Sequence, residues 1–297
     1  MKADLHLHSC YSDGTDPPAE VVRRADQLHL DAIALTDHDT LDGTAEALVE
    51  GRHQGLRVIP AAEITARFRQ HELHVLAYFH PESGPAEGWR SPALVEQLQR
   101  HSRIRIQRIT RIVERLKELG IPITLEQVQL AAATLAHTGS KKDGNHDEGT
   151  LGRPHVAAAL VAAGHVTSID QAFNRYLKRG RPAWVDKERS EVREVLALIR
   201  QTGGLSSLAH PGLLPDQNIP AQLLSEGFDG IEVFHSRHSV AQSNRFHRMA
   251  EERGLLVTGG SDCHGQLKGE PLMGRAFLEG GDLDRFLARL GTPRASS

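Results

Sequence analysis

Seven short apolar runs, separated by segments with helical periodicity, constrain the fold more than any other feature of the sequence. Each run is bounded by turn-forming or ionisable residues, which is typical of buried strands. The predicted strands cover residues 3–8, 32–37, 58–64, 73–79, 205–209, 230–234 and 256–259. Helical segments at 18–28, 44–54 and 191–202 separate several of them. This alternation predicts a parallel α/β domain.

A block of different character, residues 85–186, interrupts the alternation. Apolar residues recur in it at helical spacing and predict a long helix at 94–119, followed by helices at 125–135, 155–163 and 168–176. We interpret the block as a helical insertion between the fourth and fifth strands that caps the substrate, so that residues 1–84 and 187–297 form the barrel. Within it, residues 137–149 are polar and aperiodic and predict a mobile loop. The sequence leaves open whether this loop closes over a substrate.

Histidine is the compositional outlier, because the 297 residues include 18 histidines without a run that would indicate a tag. Imidazole is the commonest metal ligand in proteins. The two cysteines are too few for a disulfide framework or a cysteine-rich zinc site. A net charge of -3 and an aromatic content of 4% argue against a general affinity for nucleic acid or membranes. No apolar leader or membrane-length segment is visible, and we expect a cytoplasmic protein.

Ionisable residues recur at the ends of the predicted strands. His6 and His8 alternate with Leu5 and Leu7, so both imidazoles share one face of the first strand. The other strands carry further candidate ligands, which are His38, Glu63, His74, His210, Asp262 and His264. The C-terminal ends of strands form the active-site face of (β/α) barrels. Because burying so many ionisable groups without cations is costly, we predict a metal cluster at this face.

The motifs DLHLHSCYSDGT, LTDHDT, AHP and GSDCH, together with Glu63 and His74, resemble the PHP (polymerase and histidinol phosphatase) family. The resemblance covers nearly the whole chain outside the insertion. It implies a distorted (β/α)7 barrel of the PHP type with three divalent metal ions, often Mn²⁺, with iron or zinc as alternatives. Carried over by position, it implies three ligand groups: His6, His8, Glu63 and Asp262; Glu63, His74 and His210; and Asp13, His38 and His264. For Asp13, which lies in a glycine-containing segment, a surface turn is the alternative.

Such a cluster implies hydrolysis of phosphate esters. A water that bridges two cations is a nucleophile at neutral pH, and the metals neutralise the phosphate oxygens. The residues implied to hold this water are Glu63, His6, His8 and Asp262. The chemistry needs no cysteine nucleophile, so we expect Cys10 and Cys263 to be spectators. We interpret Asp4 and Asp37 as residues that orient imidazoles.

Basic residues near the end of the insertion give the best indication of the substrate. The segments GRPH (152–155) and YLKRGRPAWV (176–185) resemble the 3',5'-nucleoside bisphosphate phosphatase subgroup, some members of which also trim short RNA from the 5' end. The resemblance implies that the metals hold the phosphate to be removed while the insertion binds a second phosphate. The candidate substrate-binding residues are Arg153, His155, Arg179, Arg181, Lys187 and His235. An ordinary surface or strand-end position is the alternative for each, and a solvated face is preferred for the arginines that spread around the long helix between residues 100 and 115.

We therefore predict an enzyme that converts nucleoside 3',5'-bisphosphates to nucleoside 5'-phosphates, with 5'→3' exoribonuclease activity on short 5'-phosphorylated RNA, and no obligate protein partner. The alternative within the family is a histidinol-phosphate phosphatase, whose small cationic substrate gives no reason for paired basic motifs. The alternative from another class is a noncatalytic metal-binding module. Loss of activity normally erodes the ligands, whereas every implied position is intact here.

Overall fold

Nine strands form the central sheet of the computed structural model, which describes residues 1–84, 87–137, 151–186, 189–266 and 272–292. The strands are β1 (Lys2–Leu7), β2 (Ala32–Leu35), β3 (Arg57–Phe68), β4 (His71–Tyr78), β5 (Ser190–Glu191), β6 (Leu205–Leu208), β7 (Gly230–His235), β8 (Leu256–Gly260) and β9 (Leu278–Glu279). All seven predicted strands are present. The two that the sequence did not indicate, β5 and β9, have only two residues each and so carry no periodicity.

The strands follow the order β8-β7-β6-β4-β3-β2-β1-β9, with β5 beside β3. Backbone hydrogen bonds join the segment after β8 to β1. The N–H of Asp262 donates to the carbonyl of His6 at 2.9 Å, and the N–H of His8 donates to the carbonyl of Cys263 at 3.0 Å. Gly260 permits this approach, because a Cβ there would lie 2.4 Å from the backbone nitrogen of His6. The sheet is therefore a nearly closed barrel, as predicted.

One strand runs against the predicted direction. β4 is antiparallel to both of its neighbours, β3 and β6. Only residues 69 and 70 connect β3 to β4, and a parallel connection needs a dozen or more residues. The expectation that His74 lies near the C-terminal end of its strand is therefore wrong. His74 lies in the first half of β4, opposite Thr65, and the reversed direction brings it close to Glu63.

Helices cover the outside of the barrel and form the block between β4 and β5. They are α1 (Pro18–Gln27), α2 (Thr44–Gln54), α3 (Pro92–Glu118), α4 (Leu125–His137), α5 (Arg153–Ala162), α6 (Ile169–Ala172), α7 (Val192–Gln201), α8 (Ile219–Leu223), α9 (Val240–Arg253) and α10 (Gly280–Leu290). A π-helical turn, Phe173–Leu177, continues α6. None of the helices in the described ranges is long and apolar enough to cross a membrane.

The long helix α3 belongs to two hydrophobic cores. Its first half places Leu94 and Leu98 in the barrel core, next to the strands. Its second half places Ile109 and Ile112 in a separate core whose buried members all lie between residues 109 and 185. At 1.5 Å per residue, α3 is about 40 Å long, enough to connect both cores. The division of the chain into domains stays a prediction, as does the mobile loop at residues 137–149, which lies outside the described residues except for His137.

Candidate metal centre

Glu63 is the centre of the histidine cluster. Its Oε2 lies 3.2 Å from His8 Nε2 and 3.0 Å from His38 Nδ1. Its Oε1 lies 2.8 Å from His74 Nδ1 and 2.9 Å from His210 Nε2. Burial raises the pKa of this carboxyl, but the imidazoles of His74 and His38 outweigh burial and hold the pKa well below its usual range. Glu63 is therefore an ionised carboxylate that faces these four imidazoles and also that of His6, at 3.4 Å.

Asp262 completes a group of four ligand atoms with His6, His8 and Glu63. Asp262 Oδ1 lies 3.6 Å from His6 Nε2 and 3.3 Å from His8 Nε2. His6 Nε2 is in turn 3.4 Å from Glu63 Oε2. This is the composition of the first ligand group implied by the sequence.

Asp13 lies in the same cluster. Its Oδ1 is 3.2 Å from His264 Nε2 and 3.7 Å from His38 Nε2, and His8 Nδ1 is 4.0 Å away. Asp13 is buried, which is not the environment of a surface turn. One ligand atom from each of His8, Asp13, His38 and His264 falls within 4.8 Å of the others. The structure thus brings all nine predicted ligands together.

The donor atoms of this cluster fit divalent cations. Several are buried without any hydrogen-bond partner among the described residues, and they are His6 Nε2, His8 Nε2, Asp13 Oδ1, His38 Nδ1, Glu63 Oε2 and His74 Nδ1. An unsatisfied buried polar atom costs about 1–3 kcal/mol. Atoms that face one another at 3–4 Å with lone pairs inward are what a bound cation would satisfy. We call these nine candidate ligands the metal centre.

Hydrogen bonds at the second ring nitrogen determine which histidines offer a lone pair. His6 Nδ1 is 2.9 Å from Glu232 Oε1, and His264 Nδ1 is 2.9 Å from the carbonyl of Asp262. An acceptor at Nδ1 keeps the proton there, which leaves the Nε2 lone pair for a cation. His235 is the opposite case, because its Nδ1 accepts from the backbone N–H of Arg237 at 3.1 Å. Its proton is therefore on Nε2.

Glu232 was not among the predicted site residues. It is fully buried in β7. Its Oε1 lies 2.9 Å from His6 Nδ1, and its Oε2 accepts a hydrogen bond from the backbone N–H of His210 at 2.6 Å. The signal that could have identified it is a carboxylate inside the otherwise apolar run GIEVF. An isolated buried carboxylate needs a charged or hydrogen-bonding partner.

We expect Glu232→Gln to weaken metal binding by about 10–100-fold, the usual effect of removing a carboxylate behind a metal-ligating histidine. The amide keeps the shape of the side chain but does not hold the proton on His6 Nδ1 as strongly. Titration of the metal-free protein with Mn²⁺, followed by calorimetry, measures this. An unchanged affinity would show that Glu232 has no influence on the ligand.

Asp4 and Asp37 accept hydrogen bonds from backbone N–H groups, and Asp37 also from serine hydroxyls, rather than from imidazoles. Asp4 accepts from the N–H of Ser261 at 2.9 Å and that of His6 at 3.3 Å. Asp37 accepts from the N–H and the Oγ of Ser9 and from the Oγ of Ser12. The expectation that both orient imidazoles is corrected: within the described ranges Asp4 bonds no histidine ring, and Asp37 reaches His8 only through Ser12, whose Oγ is 3.4 Å from His8 Nδ1.

The cysteines do not offer a nucleophile. Burial, with a smaller contribution from the charge of Asp37, raises the pKa of Cys10 to about 12. Burial also raises the pKa of Cys263. Because the thiolate is the reactive form, both side chains are poor nucleophiles at neutral pH.

The predicted substrate-binding residues lie in different environments. His235 is buried at the metal centre, with Nε2 3.5 Å from Asp262 Oδ2, and His155 is buried at the start of α5, where its Nδ1 accepts from the N–H of Gly152. Arg153 is partly buried and donates to the carbonyl of Leu177 at 3.3 Å. Arg179 and Arg181 are exposed. Lys187 lies outside the described residues.

Two arginines of α3 lie in the interior instead. Arg108 is buried, donates from Nε to the carbonyl of Val185 at 2.9 Å, and lies 4.7 Å from the ring centroid of Trp184. Arg105 donates to Asp39 Oδ2 at 2.8 Å and is 11% exposed. The prediction of a solvated face is therefore wrong for these two, although it describes the exposed Arg100, Arg103, Arg111 and Arg115.

These residues form a compact positive group. Arg153 also lies near the Trp184 ring, 5.0 Å from its centroid, and Arg189 donates to Glu72 Oε2 at 2.6 Å. Burial, and then repulsion by Arg153, Arg189 and Arg105, lowers the pKa of Arg108 to about 10. We call Arg105, Arg108, Arg153 and Arg189 the arginine cluster. It adjoins the metal centre, because Asp39 follows His38 and Glu72 precedes His74 by two residues.

Curated relatives match most of the chain. A phosphoribosyl 1,2-cyclic phosphate 1,2-diphosphodiesterase of Eggerthella lenta is 30% identical over 278 residues, covering 92% of this chain and 98% of that protein. A 5'-3' exoribonuclease of Escherichia coli is 30% identical over 268 residues, covering 88% and 84%. A 3',5'-nucleoside bisphosphate phosphatase of Chromobacterium violaceum is 30% identical over 266 residues, covering 88% and 86%. All three are named for cleavage of phosphate esters.

A solved structure agrees with these relatives. A protein of Bifidobacterium adolescentis described as a metal-dependent phosphoesterase is 30% identical and superposes with a TM-score of 0.81, covering 97% of this chain and 96% of that chain. The family described as PHP domain matches residues 4–87, the segment that carries β1 to β4. The predicted class, a metal-dependent phosphoric ester hydrolase, is confirmed at the level of the family. The fold, the convergence of ligands and these relatives lead to one conclusion: the chain belongs to the PHP family.

Proposed function

We propose that this chain removes the 3'-phosphate of nucleoside 3',5'-bisphosphates and releases nucleoside 5'-phosphates. The observation that carries the proposal is the juxtaposition of two anion-binding surfaces, the metal centre around Glu63 and the arginine cluster beside it. Buried guanidinium groups are costly unless they bind an anion. The name of the Chromobacterium violaceum relative supports the same substrate.

The proposed metal ligands are the nine residues of the metal centre, and the proposed cofactors are three Mn²⁺ ions, with iron or zinc as alternatives. When bound, such ions supply an activated water at neutral pH and neutralise the phosphate oxygens. The four atoms of His6, His8, Glu63 and Asp262 face the common space where that chemistry would occur. Glu232 keeps the His6 proton on Nδ1, away from that space.

His235 has a different proposed role from its neighbours. Its Nε2 carries the proton, is buried and has no hydrogen-bond partner among the described residues. A buried N–H aimed at Asp262 across 3.5 Å is suited to donate to a phosphate oxygen. His235 with Glu232 and His6 also has the spacing of a possible cation site, but we assign it to the substrate because its lone pair is already bound to the backbone.

The second phosphate would bind to the arginine cluster. Arg108 Nη2 is buried and has no partner among the described residues, so it can donate to an anion without breaking an existing bond. Arg105 donates to Asp39 through Nη2 alone, so its other N–H groups are available to an anion. We extend the proposal to short 5'-phosphorylated RNA, because the exposed Arg100 and Arg103 continue the positive charge along α3 and the Escherichia coli relative is named an exoribonuclease.

The alternatives fit less well. Histidinol phosphate carries a cationic amine, which the arginine cluster would repel. A noncatalytic metal-binding module has no use for a buried Arg108 whose Nη2 has no hydrogen-bond partner among the described residues. A ribose that carries a cyclic phosphate and a second phosphate, as in the name of the Eggerthella lenta relative, has the same two anions and is the strongest competing substrate class.

A substrate panel tests the proposal with the Mn²⁺-loaded protein. We expect kcat/KM for adenosine 3',5'-bisphosphate to exceed that for AMP by more than about tenfold, because a second bound phosphate is worth more than about 1.4 kcal/mol. Histidinol phosphate, a phosphoribosyl cyclic phosphate and a 5'-phosphorylated short RNA complete the panel. Equal values for the bisphosphate and AMP, or a clear preference for another panel member, would overturn the assignment.

A further inference from the structure

Asp39 is an unassigned acidic residue directly after His38. It is fully buried. Its backbone has a φ of 54°, in the left-handed region that residues other than glycine rarely adopt. Its Oδ1 accepts from the N–H of Thr65 at 2.8 Å and from His101 Nδ1 at 3.2 Å. Its Oδ2 accepts from Thr65 Oγ1 at 2.9 Å and from Arg105 Nη2 at 2.8 Å. A carboxylate has about four acceptor positions, so these four donors leave it no capacity for a cation.

One side of this carboxylate is attached to the metal centre. Thr65 follows Glu63 by two residues in β3 and pairs with His74 across the β3–β4 hairpin. The backbone N–H of Asp39 donates to the carbonyl of Glu63 at 3.0 Å. Asp39 is therefore bonded to the strand that carries the central ligand.

The other side is attached to α3. His101 and Arg105 lie four residues apart on that helix, which places them on one face. His101 Nδ1 donates to Asp39, and its Nε2 lies 2.9 Å from Ser190 Oγ in β5. Arg105 then extends toward the start of α5, where its Nη1 would lie 4.0 Å from a Cβ at Gly152.

We infer that Asp39 is a positioning residue that sets the distance between the metal centre and the arginine cluster, and thereby determines the preference for substrates with two phosphates. The inference rests on the proposed function and deepens it. Asp39 acts through Arg105: it neither touches the substrate nor binds a metal. With Asp39 changed, Arg105 loses its only bond among the described residues, and its guanidinium no longer has a defined place opposite the metal centre.

The test is a double-mutant cycle of Asp39→Asn and Arg105→Gln in the Mn²⁺-loaded full-length protein. For each single variant we expect KM for adenosine 3',5'-bisphosphate to rise about tenfold, with kcat and the kcat/KM for AMP within about threefold of wild type. The double variant should resemble the single ones, because both changes remove the same interaction. Metal content should be unchanged. Arg111→Gln, an exposed arginine on the same helix, is the matched control and should leave all values unaltered.

A weaker variant covers the case in which Asp39→Asn does not fold. His101→Gln keeps the carboxylate and removes one of its two bonds to α3, so a rise of about threefold in the same KM is expected. The inference fails if wild type prefers the bisphosphate while Asp39→Asn or His101→Gln keeps that preference undiminished, or if Asp39→Asn lowers metal content and both activities equally. If wild type itself shows no preference for the bisphosphate, the proposed function fails instead, so the two failures are distinguishable.

Discussion

Replacing Glu63 by glutamine is expected to reduce phosphate release by more than about a thousandfold, equivalent to about 4 kcal/mol in the activation barrier. Both oxygens of Glu63 face imidazoles, so this one carboxylate joins His8 and His38 to His74 and His210. The amide nitrogen of glutamine cannot serve as a ligand atom. Phosphate release from adenosine 3',5'-bisphosphate and the metal content of the purified protein, measured by plasma emission, should fall together.

The fold should survive this change, because glutamine has the shape of glutamate and the surrounding barrel core is apolar. Glu252→Gln, an exposed position near the end of α9, is the matched control and should behave as wild type. A Glu63→Gln variant that retains full metal content and a rate within tenfold of wild type would contradict the assignment of Glu63 as the bridging ligand. Circular dichroism separates loss of metal from loss of fold.

Replacing Arg108 by methionine is expected to lower kcat/KM for the bisphosphate about a hundredfold, or roughly 2.7 kcal/mol, which is the range of a hydrogen bond to a charged group. The kcat/KM for AMP should stay within about threefold, because AMP lacks the second phosphate in the proposed orientation. The difference between the two substrates follows from the position of Arg108 in the arginine cluster, where it contacts Trp184 and Val185 and is not among the proposed metal ligands.

Stability should not fall with activity. Among the described residues no carboxylate lies within ion-pair distance of Arg108, and burial lowers its pKa to about 10. Removing a buried charge of this kind relieves a desolvation cost that offsets the lost bond to Val185. The melting temperature is the check, with Arg111→Met as the exposed control on the same helix. Equal losses on both substrates, or a large drop in melting temperature, would count against a role in phosphate binding.

Much of the metal centre was predictable because local periodicity encodes it. The alternation of His6 and His8 with leucines puts two imidazoles on one face of β1 whatever the rest of the chain does. Strand ends then collect His38, His210 and Asp262 at one edge, since parallel strands in a barrel share their direction. The resemblance to the PHP family added the grouping of the candidate ligands and the inclusion of Asp13 among them, which a glycine-containing segment does not reveal.

The roles of residues that depend on contacts with distant segments of the chain were not predictable from the sequence. The sequence indicated Arg179 and Arg181, which are exposed, and assigned a solvated face to Arg105 and Arg108, which lie in the interior. Arginines spaced around one helix look alike until other elements cover part of that helix. Only the packing of β3, β5 and residues 184–185 against α3 decides which of them are buried.

By itself, the sequence determined the alternation of strands and helices and the edge of the sheet at which the candidate ligands meet, because strand and helix periodicities are local properties of the chain. Only the tertiary structure decided that β4 runs antiparallel and presents His74 from its first half, that Glu232 orients His6, and that Asp39 joins β3 to α3. Each of these features depends on two segments of the chain coming within hydrogen-bonding distance of each other. The roles of the carboxylates Glu232 and Asp39 follow from the hydrogen-bond donors that the folded chain places around them.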